Sequence, residues 1–192
     1  GGGLYSSPCD ATKGAYKSVF DDLRSAGIAP IVASGNNGSV TQIASPACVT
    51  SAFSVGAVRN AQDIVALYSN AAYFLDFLAP GGDLSSDSGI ESSIPSGSSG
   101  YTYAGFQGTS MAAPHVAGAW ALMRERFPNA TLNQITDALR SSATPVQDIN
   151  GVFRSIKVGA AIDRGILDLN SPVSGADQTV NTVSFKWDHV TD

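Results

Sequence analysis

Ser110 is the residue whose neighbours most clearly point to chemistry. It sits in Gly108-Thr109-Ser110-Met111-Ala112-Ala113-Pro114-His115-Val116-Ala117-Gly118, where a glycine-rich stretch gives way to a hydrophobic helix. A hydroxyl in the first turn of a helix lies at the positive end of the helix dipole, beside backbone N–H groups that no helical carbonyl satisfies. Such groups can stabilise an oxyanion, so the setting suits a serine attacking a carbonyl. The plainer alternative is that a serine or threonine there only caps the helix. Two histidines could serve as its base, His115 and His189. His115 lies about a turn and a half along the same helix, a place suited to internal hydrogen bonding rather than proton transfer. His189 lies in the C-terminal tail.

The elements around Ser110 read as α/β. Ala15, Val19, Phe20, Leu23 and Ala26 recur at helical spacing from Lys13 to Ala26, with Gly27 where a C-terminal cap belongs, which predicts an amphipathic helix with one buried face. Residues 28–33 form an apolar run that empties into Ser34-Gly35-Asn36-Asn37-Gly38, a strand followed by a turn-rich loop. Residues 52–58 and 74–79 read as further strands covered on both faces. From Gly81 to Gly105 serine and glycine dominate, which predicts a long surface loop. Residues 109–127 read as a helix buried nearly all round, with Pro114 in its first turns and Pro128 past its end. Thr131 and Gln134 have capping-box spacing ahead of Leu132, Ile135, Ala138 and Leu139, and residues 158–162 read as one more short helix. The whole predicts a mostly parallel sheet.

Composition narrows the classes. The 192 residues suffice for one sizeable domain, and 43% hydrophobic with only 14% charged residues excludes disorder along most of the chain. A net charge of −5 with no run of Lys or Arg argues against nucleic acid or an anionic membrane as partner. No apolar stretch approaches the roughly 20 residues of a spanning helix.

The eleven residues from Gly108 to Gly118 resemble the Gly-Thr-Ser-Met-Ala-x-Pro-His-Val-Ala-Gly signature of the subtilisin-like serine proteases, with Ala113 in the variable place. Ala33-Ser34-Gly35-Asn36-Asn37-Gly38 is similar to the family's Ala-x-Gly-Asn-x-Gly segment, and Leu78-Ala79-Pro80-Gly81 to its apolar-Ala-Pro-Gly turn. Ser45-Pro46-Ala47-Cys48 leading to residues 53–58 resembles the strand between them. The resemblance covers roughly residues 1–170 and implies a three-layer α/β/α fold. It also implies a secreted serine endopeptidase acting on peptide or protein substrates without a required cofactor. Ser110 would be the nucleophile, and the Asn36 side chain with the Ser110 N–H the oxyanion hole. Ala33, Ser34 and Gly35 would wall the pocket for the side chain before the scissile bond, with Gly108 and Thr109 beside it. Gly1 and Gly2 would continue an edge strand that pairs with extended substrate.

No Asp-x-Gly or His-Gly-x-x-Val-Ala-Gly segment, from which the family takes the aspartate and histidine of the triad, precedes the Asn36 loop in this sequence. The chain therefore reads as the C-terminal part of a catalytic domain, incomplete on its N-terminal side, whose partner is the rest of that domain and which is inactive alone. The alternative is a catalytically dead subtilase fold used for binding. An α/β-hydrolase would need Gly-x-Ser-x-Gly, and its fifth place is Ala112 here.

Cys9 and Cys48 form a disulfide if they follow extracellular members with a similar Pro-Cys-Asp and Pro-Ala-Cys pair; two unrelated buried thiols are the alternative. No metal site stands out, though many family members bind calcium, and Asp83 and Asp87 are candidates by loop composition alone. Residues 171–192 read as a linker entering the first strand of a β-sandwich appendage.

Overall fold

The computed structural model describes residues 2–60, 62–97, 100–149 and 151–166. Its elements in order are β1 (Gly2–Tyr5), α1 (Gly14–Ser25), β2 (Ile31–Ala33), β3 (Ile43–Ser45), β4 (Phe53–Val58), β5 (Phe77–Pro80), β6 (Ile90–Ser96), β7 (Gly100–Phe106), α2 (Thr109–Arg126), α3 (Leu132–Ser142), β8 (Thr144–Asp148), β9 (Gly151–Ser155) and α4 (Val158–Arg164). Gly1, His189 and the proposed appendage at 171–192 lie outside the described residues.

The central sheet runs β2-β4-β5-β9-β8, with β2, β4, β5 and β9 parallel and β8 antiparallel at one edge. The fold is thus three-layer α/β with a mostly parallel sheet. β4 is buried along its whole length, as expected of a strand covered on both faces. Its alternation sorts the two layers. Phe53, Val55 and Ala57 pack with Phe77 and Ala79 of β5 against Ala112, Val116, Ala119, Trp120 and Met123 of α2, with Ile135 and Leu139 of α3 behind them. Val58 and Leu78 face the other way, onto Ala71, Leu75, Val146 and Phe153.

Three expectations change, and one hairpin is new. The serine-rich stretch is not a long loop: β6 and β7 form a seven-pair antiparallel hairpin from Ile90↔Phe106 to Ser96↔Gly100. Backbone pairing holds it although both faces are largely exposed, which hides it from a hydrophobicity pattern. α2 is not buried all round, because Pro114, His115, Ala117, Gly118 and Ala121 are exposed. α1 has no fully buried residue, and Tyr16 and Val19 are open to solvent. The β8–β9 hairpin went unread, since Val146 and Phe153 are its main buried apolar side chains.

Local signals did hold where they were chemical. Gln134 N–H donates to Thr131 Oγ1 at 3.2 Å, and Thr131 N–H to Gln134 Oε1 at 2.8 Å, so the capping box of α3 is complete. The Cys9–Cys48 disulfide that the family resemblance implies is also present, with Cα atoms 5.4 Å apart across a separation of 39 residues. Their surroundings, Val49 with Tyr5, Phe20 and Phe74, are what anchors the otherwise open α1 segment to the body. β1 pairs antiparallel with β3 through Gly2↔Ser45, which leaves its other edge free among the described residues.

Candidate active site

The site is assembled from the loops at the carboxyl ends of the parallel strands β2 and β5, where open α/β sheets place their ligands, and from a third loop that joins β7 to α2. The first follows β2. Ser34 is fully buried, and its hydroxyl donates to the Asn70 carbonyl at 2.7 Å. Gly35 has φ +103°, and a Cβ there would stand 2.4 Å from Asn70 Nδ2 and 2.8 Å from Ala44 Cβ, so only glycine fits. The second loop follows β5 and carries Gly81. The third leads into α2 through Gly108, whose N–H donates to the Gly81 carbonyl at 2.9 Å.

Asn36 couples the first loop to the third. Its Oδ1 accepts the Thr109 N–H at 2.9 Å and the Thr109 hydroxyl at 2.7 Å, and Thr109 Oγ1 accepts the Gly35 N–H at 3.2 Å. With its oxygen doubly engaged, the amide must present Nδ2 away from Thr109, and that donor has no partner among the described residues. The N–H groups of the first turn of α2 divide in the same way. Thr109 gives its own to Asn36, while Met111 and Ala112 give theirs to the Gly108 carbonyl. The Ser110 N–H has no hydrogen-bond partner among the described residues. Two unspent donors, one amide side chain and one backbone N–H, therefore flank an exposed serine hydroxyl at a helix start. This is the equipment for holding a developing oxyanion.

Ser110 opens on a cavity of about 330 Å³ lined also by Ile90, Ser92, Phe106, Met111, Pro114 and His115. His115 is exposed, and its Nδ1 lies 2.8 Å from the Met111 carbonyl, so that nitrogen carries the proton and donates along the helix. No hydrogen bond links it to Ser110, and no other described histidine exists.

Sequence reasoning missed Asn70. This side chain is fully buried and spans the turn that carries Asn36: Oδ1 accepts the N–H groups of Asn37 at 2.9 Å and Ser39 at 3.1 Å, and Nδ2 donates to the Ser34 carbonyl at 3.1 Å. Its place in Tyr68-Ser69-Asn70-Ala71-Ala72 carries no local signal, because every partner is more than thirty residues away.

Asp83 and Asp87 do not make an open cation site. Asp87 accepts N–H groups from Asp83, Gly89 and Asn60, and Asp83 accepts from Ser85 while pairing with Arg59 Nε at 3.0 Å. The Ser85 hydroxyl, foremost, holds the Asp83 carboxyl below the usual range against the cost of burial, and the Asp83 N–H does the same for Asp87. Oxygens turned toward donors and an arginine do not fit calcium. Among the described residues no group of three or more His, Cys, Asp or Glu could hold a metal.

A mostly parallel α/β sheet with a serine at the start of its central helix, beside one unspent donor from a neighbouring strand loop and one from its own backbone, places the molecule among serine-nucleophile hydrolase folds. The model of the Subtilase family (Peptidase S8) matches residues 4–165. The chain is 41% identical over 133 residues to subtilisin from Bacillus pumilus, covering 68% of this chain and 44% of that protein. It is likewise 41% identical over 133 residues to subtilisin E from Bacillus subtilis, covering 68% of this chain and 32% of that protein. Among solved structures, a protease from Pseudoalteromonas arctica PAMC 21717 superposes with TM-score 0.71 at 30% identity, covering 84% of this chain and 49% of that one. The chain belongs to the subtilase family. It spans less than half the length of these curated relatives.

Proposed function

We propose that this chain carries the nucleophile half of a subtilisin-like serine endopeptidase. Ser110 Oγ attacks the scissile carbonyl carbon, its proton passing to a histidine base. The tetrahedral oxyanion takes hydrogen bonds from Asn36 Nδ2 and the Ser110 N–H. Collapse expels the amine, which takes the proton from the histidine, and leaves an acyl-Ser110 ester that water then hydrolyses by the same route. The observation that carries this reading is the pair of unspent donors beside Ser110, fixed by the double engagement of Asn36 Oδ1. Ala33, Ser34 and Gly35 wall the pocket for the residue before the cleaved bond, Gly108 and Thr109 complete it, and the free edge of β1 at Gly2 pairs with extended substrate.

The base and its aspartate come from a segment of the same domain that precedes this half. The exposed small-residue face of α2, the open edge of β2 and the cavity beside Ser110 are where it docks, and without it the chain does not hydrolyse peptides. Secretion is the matching compartment: a relative from Thermus sp. is named an extracellular serine proteinase, and the disulfide fits an oxidising setting. The test is hydrolysis of a chromogenic peptide by this chain joined to a subtilase N-terminal segment bearing the aspartate and histidine. Activity that Ser110→Ala removes supports the reading; activity that survives Ser110→Ala overturns it.

A further inference from the structure

Gly108 starts α2 without a capping side chain of its own. Its φ of +148° suits only glycine, and the Gly81 backbone it rests on leaves no room for a Cβ, which would stand 2.8 Å from the Gly108 carbonyl and 2.5 Å from Ala57 Cβ. Two side-chain-free segments thus meet directly, and the place of Ser110 depends on what ties them. Asn36 braces one side through Thr109. The other side is braced by Tyr68, in the loop between β4 and β5. Its hydroxyl lies 2.6 Å from the Gly82 carbonyl and 2.9 Å from the Gly81 carbonyl, and at 3.1 Å it shares the Gly108 N–H with the Gly81 carbonyl, which that N–H reaches at 2.9 Å. The single hydroxyl proton goes to one carbonyl at a time while the lone pair faces Gly108. The backbone of the same residue reaches the other loop: the Tyr68 carbonyl accepts the Gly38 N–H at 2.7 Å, closing the turn that carries Asn36.

We propose that Tyr68 is a positioning residue for the nucleophile, holding the Gly108 turn in register with the Asn36 turn so that Ser110 and its two donors converge on one carbonyl. The inference rests on the peptidase reading above and adds to it a residue that touches no substrate. Burial, with the nearby carboxylates of Asp83 and Asp87, pushes the Tyr68 phenol up to about 12, so the hydroxyl stays a donor across the neutral range.

The experiment is Tyr68→Phe in the chain joined to the segment bearing the histidine and aspartate. The variant keeps the ring and the carbonyl bond to Gly38 and loses only the hydroxyl. The expected result is kcat lower by about 10-fold with KM within about twofold, the effect of one lost hydrogen bond read in the transition state. A kcat equal to wild type, with only the melting temperature lowered, overturns the proposal. A second readout does not need activity: in this chain alone, Tyr68→Phe leaves the Gly108 amide only the Gly81 carbonyl of its two acceptors and is expected to speed its hydrogen exchange several-fold, and an unchanged rate overturns the brace. If the wild-type assembly shows no Ser110-dependent hydrolysis, the peptidase reading is what fails, and the Gly108 exchange rate then decides the brace by itself.

Discussion

The two faces of α2 are built on opposite principles. The inner face, with Ala112, Val116, Ala119, Trp120 and Met123, is buried on β4 and β5 and belongs to the main core. The outer face, with Pro114, His115, Ala117, Gly118 and Ala121, is open, and over these residues nothing on it is larger than a histidine until Glu125 and Arg126 at the helix end. Surface helices place charges on their exposed stripe; this one keeps them to its last turn and places small groups ahead of it, which lets a second element approach closely. The two unspent donors lie on the braced side, whereas on the open side His115, the one described histidine, makes no hydrogen bond to Ser110. On the proposed reading, the contrast divides the site between pieces of chain by role: charge stabilisation is local to this half, and proton transfer is not.

The contrast can be broken in several ways. Asn36→Ala in the assembled protease is expected to lower kcat by about 10²–10³-fold with little change in KM, the size known for the matching donor of subtilisin itself; an unchanged kcat would show that Asn36 Nδ2 is not used. Met123→Ala on the inner face is expected to cost about 3 kcal/mol in urea unfolding, because the side chain is fully buried. Asn70→Ala is expected to cost about 2 kcal/mol, since it leaves the N–H groups of Asn37 and Ser39 without their acceptor. Ala121→Arg on the outer face should move the stability of this chain by no more than about 0.5 kcal/mol, yet block activation by the histidine-bearing segment. Equal stability losses for Met123→Ala and Ala121→Arg would erase the distinction between the faces.

The smallest effect concerns the turn behind Gly81. Asp83 and Asp87 have folded pKa values below their ordinary 3.8, so they contribute stability above that value and lose it as pH falls through the depressed values. Melting temperature should therefore fall as pH is lowered from about 4 toward 2, and Asp87→Asn should flatten that fall. A melting temperature independent of pH there would remove the two carboxylates from the account.

Legibility in the sequence followed the range of the interactions. The Thr131–Gln134 capping box spans three residues and was readable, as were β4 and the start of α2 at Thr109. Ser110 and Asn36 were readable because their motifs resemble those of a known family; chemistry alone left Ser110 level with an ordinary cap. The β6–β7 hairpin was not, because Ser92, Ser93 and Ser96 form a strand by cross-strand pairing and not by burying apolar area. Nor was the exposure of α2: its composition announces burial, and only the three-dimensional arrangement shows that the outer half has no cover among the described residues. The Asn70 side chain acts across more than thirty residues and Tyr68 across 13 to 40, and neither leaves a trace in local pattern.

The central claim is that this half holds the nucleophile and its donors but not the base. Labelling of Ser110 by a fluorophosphonate, followed by mass spectrometry, tests it most directly. The account predicts no labelling of the chain alone above the Ser110→Ala background, and stoichiometric labelling once a segment bearing the histidine and aspartate is joined to it. Rapid labelling of Ser110 in the chain alone would contradict it.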